Sequence, residues 1–156
     1  VLQILLYFAN VGKRFVKSAK IYFADHGLVS YLLDIQNKQD WENHIYNGHL
    51  WENLVLMELI KPMQLRPGFN LFFYRDQHGV EIDFVVIKKE IVYLIEAKIS
   101  PVSSGKLNFN KVQPVFKKYK IKSILAAYIL ERSALELKEY TLLNPLYVDF
   151  SSTLSD

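Results

Sequence analysis

Apolar and polar positions alternate most clearly between Glu81 and Lys98. Two runs rich in β-branched residues flank the charged break Lys88-Lys89-Glu90, which predicts a strand over 81–87, a turn, and a strand over 91–99. Side chains on a strand point alternately to its two faces. Glu81, Asp83, Val85 and Ile87 are therefore expected on one face of the first strand. On the second, Val92, Leu94, Glu96 and Lys98 share a face, and Ile91, Tyr93, Ile95, Ala97 and Ile99 take the other. Carboxylates and a lysine thus interrupt strands that are otherwise apolar on both sides. Buried charges are paired or hold a metal, so any chemistry is expected here.

The remaining pattern supplies the elements around this hairpin. Leu28, Tyr31, Leu32 and Ile35 recur at helical spacing, and 36–47 reads as a polar loop. Residues 48–65 are apolar nearly all round, as in a buried helix. At about 100° per residue, Glu52 falls on the side of Val55, Leu56 and Leu59, and so points toward packed structure. Glu58 falls instead beside Trp51 and Leu54, and Pro62 and Pro67-Gly68 end the helix. Leu71 to Arg75 is a strand and Asp76 to Gly79 a turn. A Ser/Gly-rich loop over 101–106 leads into a basic helix over 107–119, interrupted or bent at Pro114, and then a buried strand over 121–130. Residues 131–150 read as a charged linker with a last apolar stretch, and 151–156 as a disordered tail. Residues 1–24 read as strand, basic loop and strand. They are either a wing-like hairpin remaining from an upstream module, ahead of a main domain over 25–150, or an edge of the main sheet. The whole order predicts an α/β fold: a central mixed sheet flanked by helices on both faces.

Composition narrows the function classes. At 156 residues, 51% hydrophobic and 14% aromatic, the chain suits one domain with a real core. With no cysteine, disulfide frameworks, thiolate metal sites and cysteine nucleophiles are excluded. No apolar run reaches transmembrane length, and Val1 to Ala9 lacks the basic leader of a signal peptide, so a cytoplasmic piece of a longer protein is expected. The net charge is only +3 but uneven: residues 97–130 hold seven lysines and no acid. Such a stretch is either a solvated helix face or a patch for a polyanion. On the second view Lys106, Lys111, Lys117 and Lys118, with Gln113, are candidates to contact nucleic acid. The histidines lack paired ligand spacing and the serines lack an elbow context.

Asp83 and Glu96, with twelve residues between them on neighbouring strands, are placed to bind one hard divalent ion. The Ala97 carbonyl can add a neutral oxygen, and Mg²⁺ or Mn²⁺ completes its shell with waters. Lys98 can orient a water or stabilise charge on a phosphate, and Glu52 can hold a second ion or anchor a water. The catalytic candidates are therefore Glu52, Asp83, Glu96 and Lys98. The bland alternative is a salt bridge of Lys98 with Asp83 or Glu96 at the end of a sheet.

Asp83, Glu96-Ala97-Lys98 and an upstream helical glutamate resemble the core of the PD-(D/E)XK nuclease superfamily, with Ile82 where a proline usually precedes the aspartate. The stretches Lys20-Ile21-Tyr22-Phe23-Ala24-Asp25-His26-Gly27-Leu28, Gly48-His49-Leu50-Trp51-Glu52-Asn53, and Phe73-Tyr74-Arg75 with Val80-Glu81-Ile82-Asp83-Phe84-Val85 are similar to a further family. It consists of uncharacterised domains that form the C-terminal part of many bacterial and archaeal AAA-type ATPases. The resemblance covers about residues 20–150. It implies a restriction-endonuclease-like α/β/α fold, and it carries nuclease roles onto Glu52, Asp83, Glu96 and Lys98. No Gly-x-x-x-x-Gly-Lys-Ser/Thr stretch is present, so the ATPase itself is not in this chain.

Two readings follow. One is a Mg²⁺-dependent phosphodiesterase acting on nucleic acid, attached to an upstream ATPase module. The other is a catalytically inactive nuclease-fold module that binds nucleic acid or a protein partner for that ATPase.

Overall fold

The computed structural model describes residues 1–7, 19–100, 106–128 and 134–154. Its centre is the expected hairpin. Strand β4 (Glu81–Lys88) and strand β5 (Ile91–Lys98) pair antiparallel, with Lys88 opposite Ile91. Only Lys89 and Glu90 connect them. Lys89 has φ 53°, the left-handed backbone that a tight hairpin turn requires.

Strand β3 (Leu71–Arg75) adds to β4 antiparallel, so β3, β4 and β5 form a meander. Strand β6 (Lys120–Ala127) then pairs with β5 in parallel, after a crossover that holds helix α4 (Phe109–Val112) and a 3₁₀ turn (Gln113–Phe116). The basic helix expected over 107–119, interrupted or bent at Pro114, is thus two short pieces that meet at Gln113-Pro114. Proline removes a backbone donor and tightens the turn there. Beyond β6 lie strands β8 (Thr141–Leu143), parallel to it, and β7 (Ala134–Glu136), antiparallel to β8.

At the other edge, β1 (Leu2–Leu6) pairs in parallel with β3, and β2 (Lys20–Tyr22) in antiparallel with β1. The described part of residues 1–24 therefore forms an edge of the main sheet. The basic loop with Lys13, Arg14 and Lys17 lies outside the described residues. Among the described residues the sheet is mixed and has eight strands, ordered β2-β1-β3-β4-β5-β6-β8-β7.

Two apolar clusters cover its two faces. Helix α3 (Asn47–Met63) supplies Trp51, Val55, Leu56 and Leu59 to the first, where they meet Phe84, Val86, Tyr93 and Ile95. Helix α4 and the 3₁₀ turn supply Phe109, Val112 and Phe116 to the second, against Ile82, Val85, Val92 and Leu94. Burial of these side chains stabilises the layers by roughly 1.5–3 kcal/mol each. The chain is α/β, with helices on both faces of the sheet.

Three local expectations are corrected. Residues 36–47 are not all loop: Asn37 caps a short helix α2 (Lys38–Asn43) by accepting from the Asp40 N–H at 3.0 Å. Nor is 151–156 a free tail throughout. Helix α5 (Phe150–Thr153) starts at an Asp149 cap, and Leu154 is fully buried, its carbonyl accepting from Tyr93 Oη at 3.0 Å. Ser155 and Asp156 lie outside the described residues. The stretch over 131–150 expected as a linker with a last apolar stretch holds β7 and β8; its first residues, 131–133, and residues 129–130 of the expected strand lie outside the described residues.

A further correction concerns β4. Phe72 pairs with Val85 and Tyr74 with Ile82, so β4 holds one residue more than β3 between these pairs. Such a bulge breaks the alternation of faces. Ile82 and Val85 both face the α4 layer, whereas Phe84 and Val86 face α3. Asp83 and Val85 are thereby separated, and the Asp83 carboxylate is delivered to the α3 side of the sheet, toward β2.

Candidate active site

The site lies where β2, α3 and the ends of β4 and β5 meet. Helix α3 is anchored by Trp51, fully buried, whose indole N–H donates to the Ala126 carbonyl at 3.0 Å. This bond sets the rotation of the helix and hence the direction of Glu52. The next residue, Asn53, clamps the chain just after β2: its amide accepts from the Phe23 N–H at 2.7 Å and donates to the Phe23 carbonyl at 3.0 Å. Helix α1 (His26–Leu32) follows, capped by Asp25, which accepts from the Leu28 N–H at 2.9 Å. The stretch around residues 20–28 and the stretch around 48–53, distant in sequence, are thus docked on each other.

Asp83 stands at the middle of the charged cluster. Its Oδ2 accepts from the Ala97 N–H at 3.0 Å and lies 3.6 Å from Lys98 Nζ. Lys98 Nζ is also 3.4 Å from Glu96 Oε2, and Glu96 Oε1 accepts from the Asn108 N–H at 2.6 Å. The sequence-derived trio Asp83, Glu96 and Lys98 is therefore brought together. For Ala97 the structure puts the N–H, not the carbonyl, on Asp83.

On its other side Asp83 meets Lys20, a residue that strand periodicity did not single out. Lys20 Nζ lies 2.8 Å from Glu52 Oε1, 2.5 Å from Glu81 Oε1 and 3.4 Å from Asp83 Oδ1. Tyr22 donates a short hydrogen bond to the same Glu52 oxygen. Arg75 closes the other side of Glu81, with Nε 2.8 Å from Oε2. Glu52 is hence held by Lys20 and Tyr22 instead of standing open for a second ion. Lys20 and Tyr22 lie on one face of a three-residue strand; that i, i+2 spacing, within a stretch already singled out by its family resemblance, was the signal that could have marked them.

Burial and charge act in opposition here. Burial alone would lower the pKa of Lys20, but Asp83, Glu52 and Glu81 outweigh it and hold the ammonium charged well above its ordinary range. Lys98 is raised in the same way by Asp83 and Glu96 against its burial. Glu96 is raised, chiefly by burial, despite the Asn108 N–H and Lys98. For Glu81 burial would raise the value, but the hydrogen bonds and charges of Lys20 and Arg75 prevail and lower it. Tyr22 is raised by burial and by the adjacent Glu52, so the phenol keeps its proton.

The cluster forms one end of a cavity of about 820 Å³ that opens to solvent. Val29 and Leu32 of α1, Leu33 just after it and Leu50 of α3 form its apolar wall, with Tyr46 and His49 beside them. The cavity has the size and the mixed lining of a ligand pocket. Other candidates stand elsewhere. Glu58 pairs with Lys61 at 2.9 Å on the surface, and Gln113 donates to Asn110 at 3.2 Å. Lys111 donates to Asn108 at 3.1 Å, one residue removed from Glu96 in the bonding chain. Lys106, Lys117 and Lys118 are exposed on the α4 side and, with Lys111 and Gln113, do not line the cavity.

The donor set is carboxylate oxygen throughout, which suits Mg²⁺ or Mn²⁺ rather than a softer ion. Among the described residues, no three acidic or histidine side chains already form a metal cage. Mg²⁺ is commonly held by one or two carboxylates with waters. Asp83 and Glu96, both within reach of the same Lys98 ammonium, fit that smaller demand; Glu52 and Glu81 are occupied by Lys20. Among the described residues, no helix is long and apolar enough to cross a membrane.

DUF4143, a domain of unknown function, matches residues 47–142. An uncharacterized protein of Mycobacterium bovis and one of Mycobacterium tuberculosis are each 37% identical over 84 residues, which is 54% of this chain and 18% of theirs. The chain thus matches less than a fifth of the length of these curated relatives. No solved structure matches it. With the family matched over more than half its length, the chain belongs to the DUF4143 family of domains of unknown function.

Proposed function

We propose that this domain is a restriction-endonuclease-like phosphodiesterase that uses one Mg²⁺ or Mn²⁺ to cleave nucleic acid, in the service of an AAA-type ATPase module of the same polypeptide. The observation that carries the reading is the approach of Lys98 to both Asp83 and Glu96, at 3.6 and 3.4 Å, on the wall of an open cavity. An ion pair made only for stability has no need of such an opening. Asp83 and Glu96 are the residues that would hold the ion. When bound, the ion supplies positive charge to the phosphate and acidifies a water.

The chain's own groups do the remaining work. Lys98, charged at neutral pH, turns from its carboxylates to a phosphate oxygen as negative charge grows there. The Ala97 N–H holds Asp83 Oδ2, and the Asn108 N–H holds Glu96 Oε1, so that each carboxylate keeps its orientation. The exposed lysines 106, 111, 117 and 118 supply a basic approach on the α4 side, where phosphates gain from counterion release.

Calorimetric titration with Mn²⁺, for the wild type and Asp83→Asn, tests the reading. Binding in the wild type that vanishes in a folded variant is the expected result. No binding in the wild type would overturn it.

A second reading has its own observation. The cluster holds four carboxylates but also Lys20, Lys98 and Arg75, and each carboxylate already contacts a cation. On this reading the domain is an inactive nuclease-fold module that docks nucleic acid or a protein for the ATPase. Ile21, Phe23, Tyr31, Leu32 and Tyr46, all exposed, then serve as contact surface. Partner binding unaffected by a chelator and by Asp83→Asn would favour it over the first.

A further inference from the structure

We infer that Lys20 is a positioning residue that keeps the site at one divalent ion, because its ammonium stands where a second cation would stand between Glu52, Glu81 and Asp83. The inference rests on the one-ion reading above and adds to it a residue from β2.

Three carboxylates that converge repel one another unless a cation lies among them. An ammonium carries three donors and no acceptor, and Lys20 Nζ has three carboxylate oxygens about it, at 2.8, 2.5 and 3.4 Å. Its donors are thus fully used. A hard divalent ion binds oxygen at roughly 2.0–2.1 Å, and its shell would have to occupy the same space as the ammonium. The two are mutually exclusive at this corner.

Lys20 is also held in place. The ring of Phe73 lies under its head, with Nζ 5.6 Å from the centroid. Its strand is pinned to β1 on one side, and Asn53 clamps the chain at Phe23 on the other. The ammonium holds Glu52 Oε1 and shares Asp83 with Lys98. One position, flanked by Asp83 and Glu96, is left for a metal.

The number of Mn²⁺ ions bound per chain tests this, read by calorimetry and by electron paramagnetic resonance of free Mn²⁺. Lys20→Met keeps the stem and removes the charge, and Lys20→Gln also keeps a donor for Glu52; circular dichroism checks the fold of each. The expected result is one more Mn²⁺ per chain in both variants than in the wild type. An unchanged or smaller number in folded variants overturns the inference, and so does loss of fold in both, which would make Lys20 a structural pin. The outcomes separate the two proposals. If the wild type binds one ion and the variants also bind one, the role of Lys20 falls and the phosphodiesterase reading stands. If the wild type binds none and the variants bind one, the role of Lys20 stands and that reading falls. If nothing binds in any of them, both fall.

Discussion

Asp83 has an ammonium on either side, and the two differ in origin and grip. Lys98 comes from the same hairpin, its side chain is 38% exposed, and it meets its carboxylates at 3.4 and 3.6 Å. Lys20 comes from an edge strand 63 residues away, is 19% exposed, and meets two of its carboxylates at 2.8 and 2.5 Å. A loosely held, wetter cation can leave its partners for a substrate; a tightly held one orders the groups around it. The same pairing chemistry therefore yields a mobile half and a fixed half of one site.

The largest expected effect comes from Asp83→Asn, since Asp83 is the carboxylate that both halves share. Mn²⁺ affinity should fall by about 100-fold or more, on the order of 3 kcal/mol, read by calorimetry on a chain with an unchanged circular dichroism spectrum. Retained affinity would break the idea that the halves meet at this residue.

Glu52→Ala should weigh on the fixed half. It strips Lys20 and Tyr22 of their common acceptor in a mostly buried setting, and a loss of about 3 kcal/mol is expected in urea unfolding. Lys98→Ala should cost less than about 1 kcal/mol in the same assay, because its ammonium is partly in water. Equal losses would erase the distinction between the halves.

Asn53→Ala removes both hydrogen bonds to Phe23 and leaves that backbone pair unsatisfied. A cost of about 2 kcal/mol is expected, with faster hydrogen exchange confined to β2 and the start of α1.

The smallest effect concerns pH. Glu81 is held below its ordinary value of 4.5 by Lys20 and Arg75, which outweigh its burial. A carboxylate lowered in the folded state binds fewer protons there than in the unfolded chain. Its contribution is fully present above pH 4.5 and is lost as pH falls through its folded value. Glu81→Gln should flatten the acid limb of stability against pH, measured by urea unfolding between pH 3 and pH 6. An unchanged slope would mean that Glu81 does not contribute to the fixed half.

Much of this was legible from local pattern. The β4–β5 hairpin, the buried α3, the meander and the crossover to β6 follow from periodicity, turn residues and a buried run, which act over a few residues. The approach of Asp83, Glu96 and Lys98 was readable for the same reason, because a hairpin puts its two strands side by side. The face of Asp83 was right only in part. Strict alternation tied it to Val85, and the bulge opposite Phe73 undid that tie. A bulge depends on how two strands pair, and no single strand announces it.

By itself, then, the sequence determined the central elements from α3 to β6, the layered α/β class and the mobile half of the site, since each rests on neighbours in the chain. Only the tertiary structure decided that residues 1–7 and 19–22 complete the sheet, that Leu154 closes the core, and that Lys20 stands between Glu52 and Asp83. These depend on contacts across tens of residues, where burial and charge pairing select one arrangement among many that the local pattern allows equally.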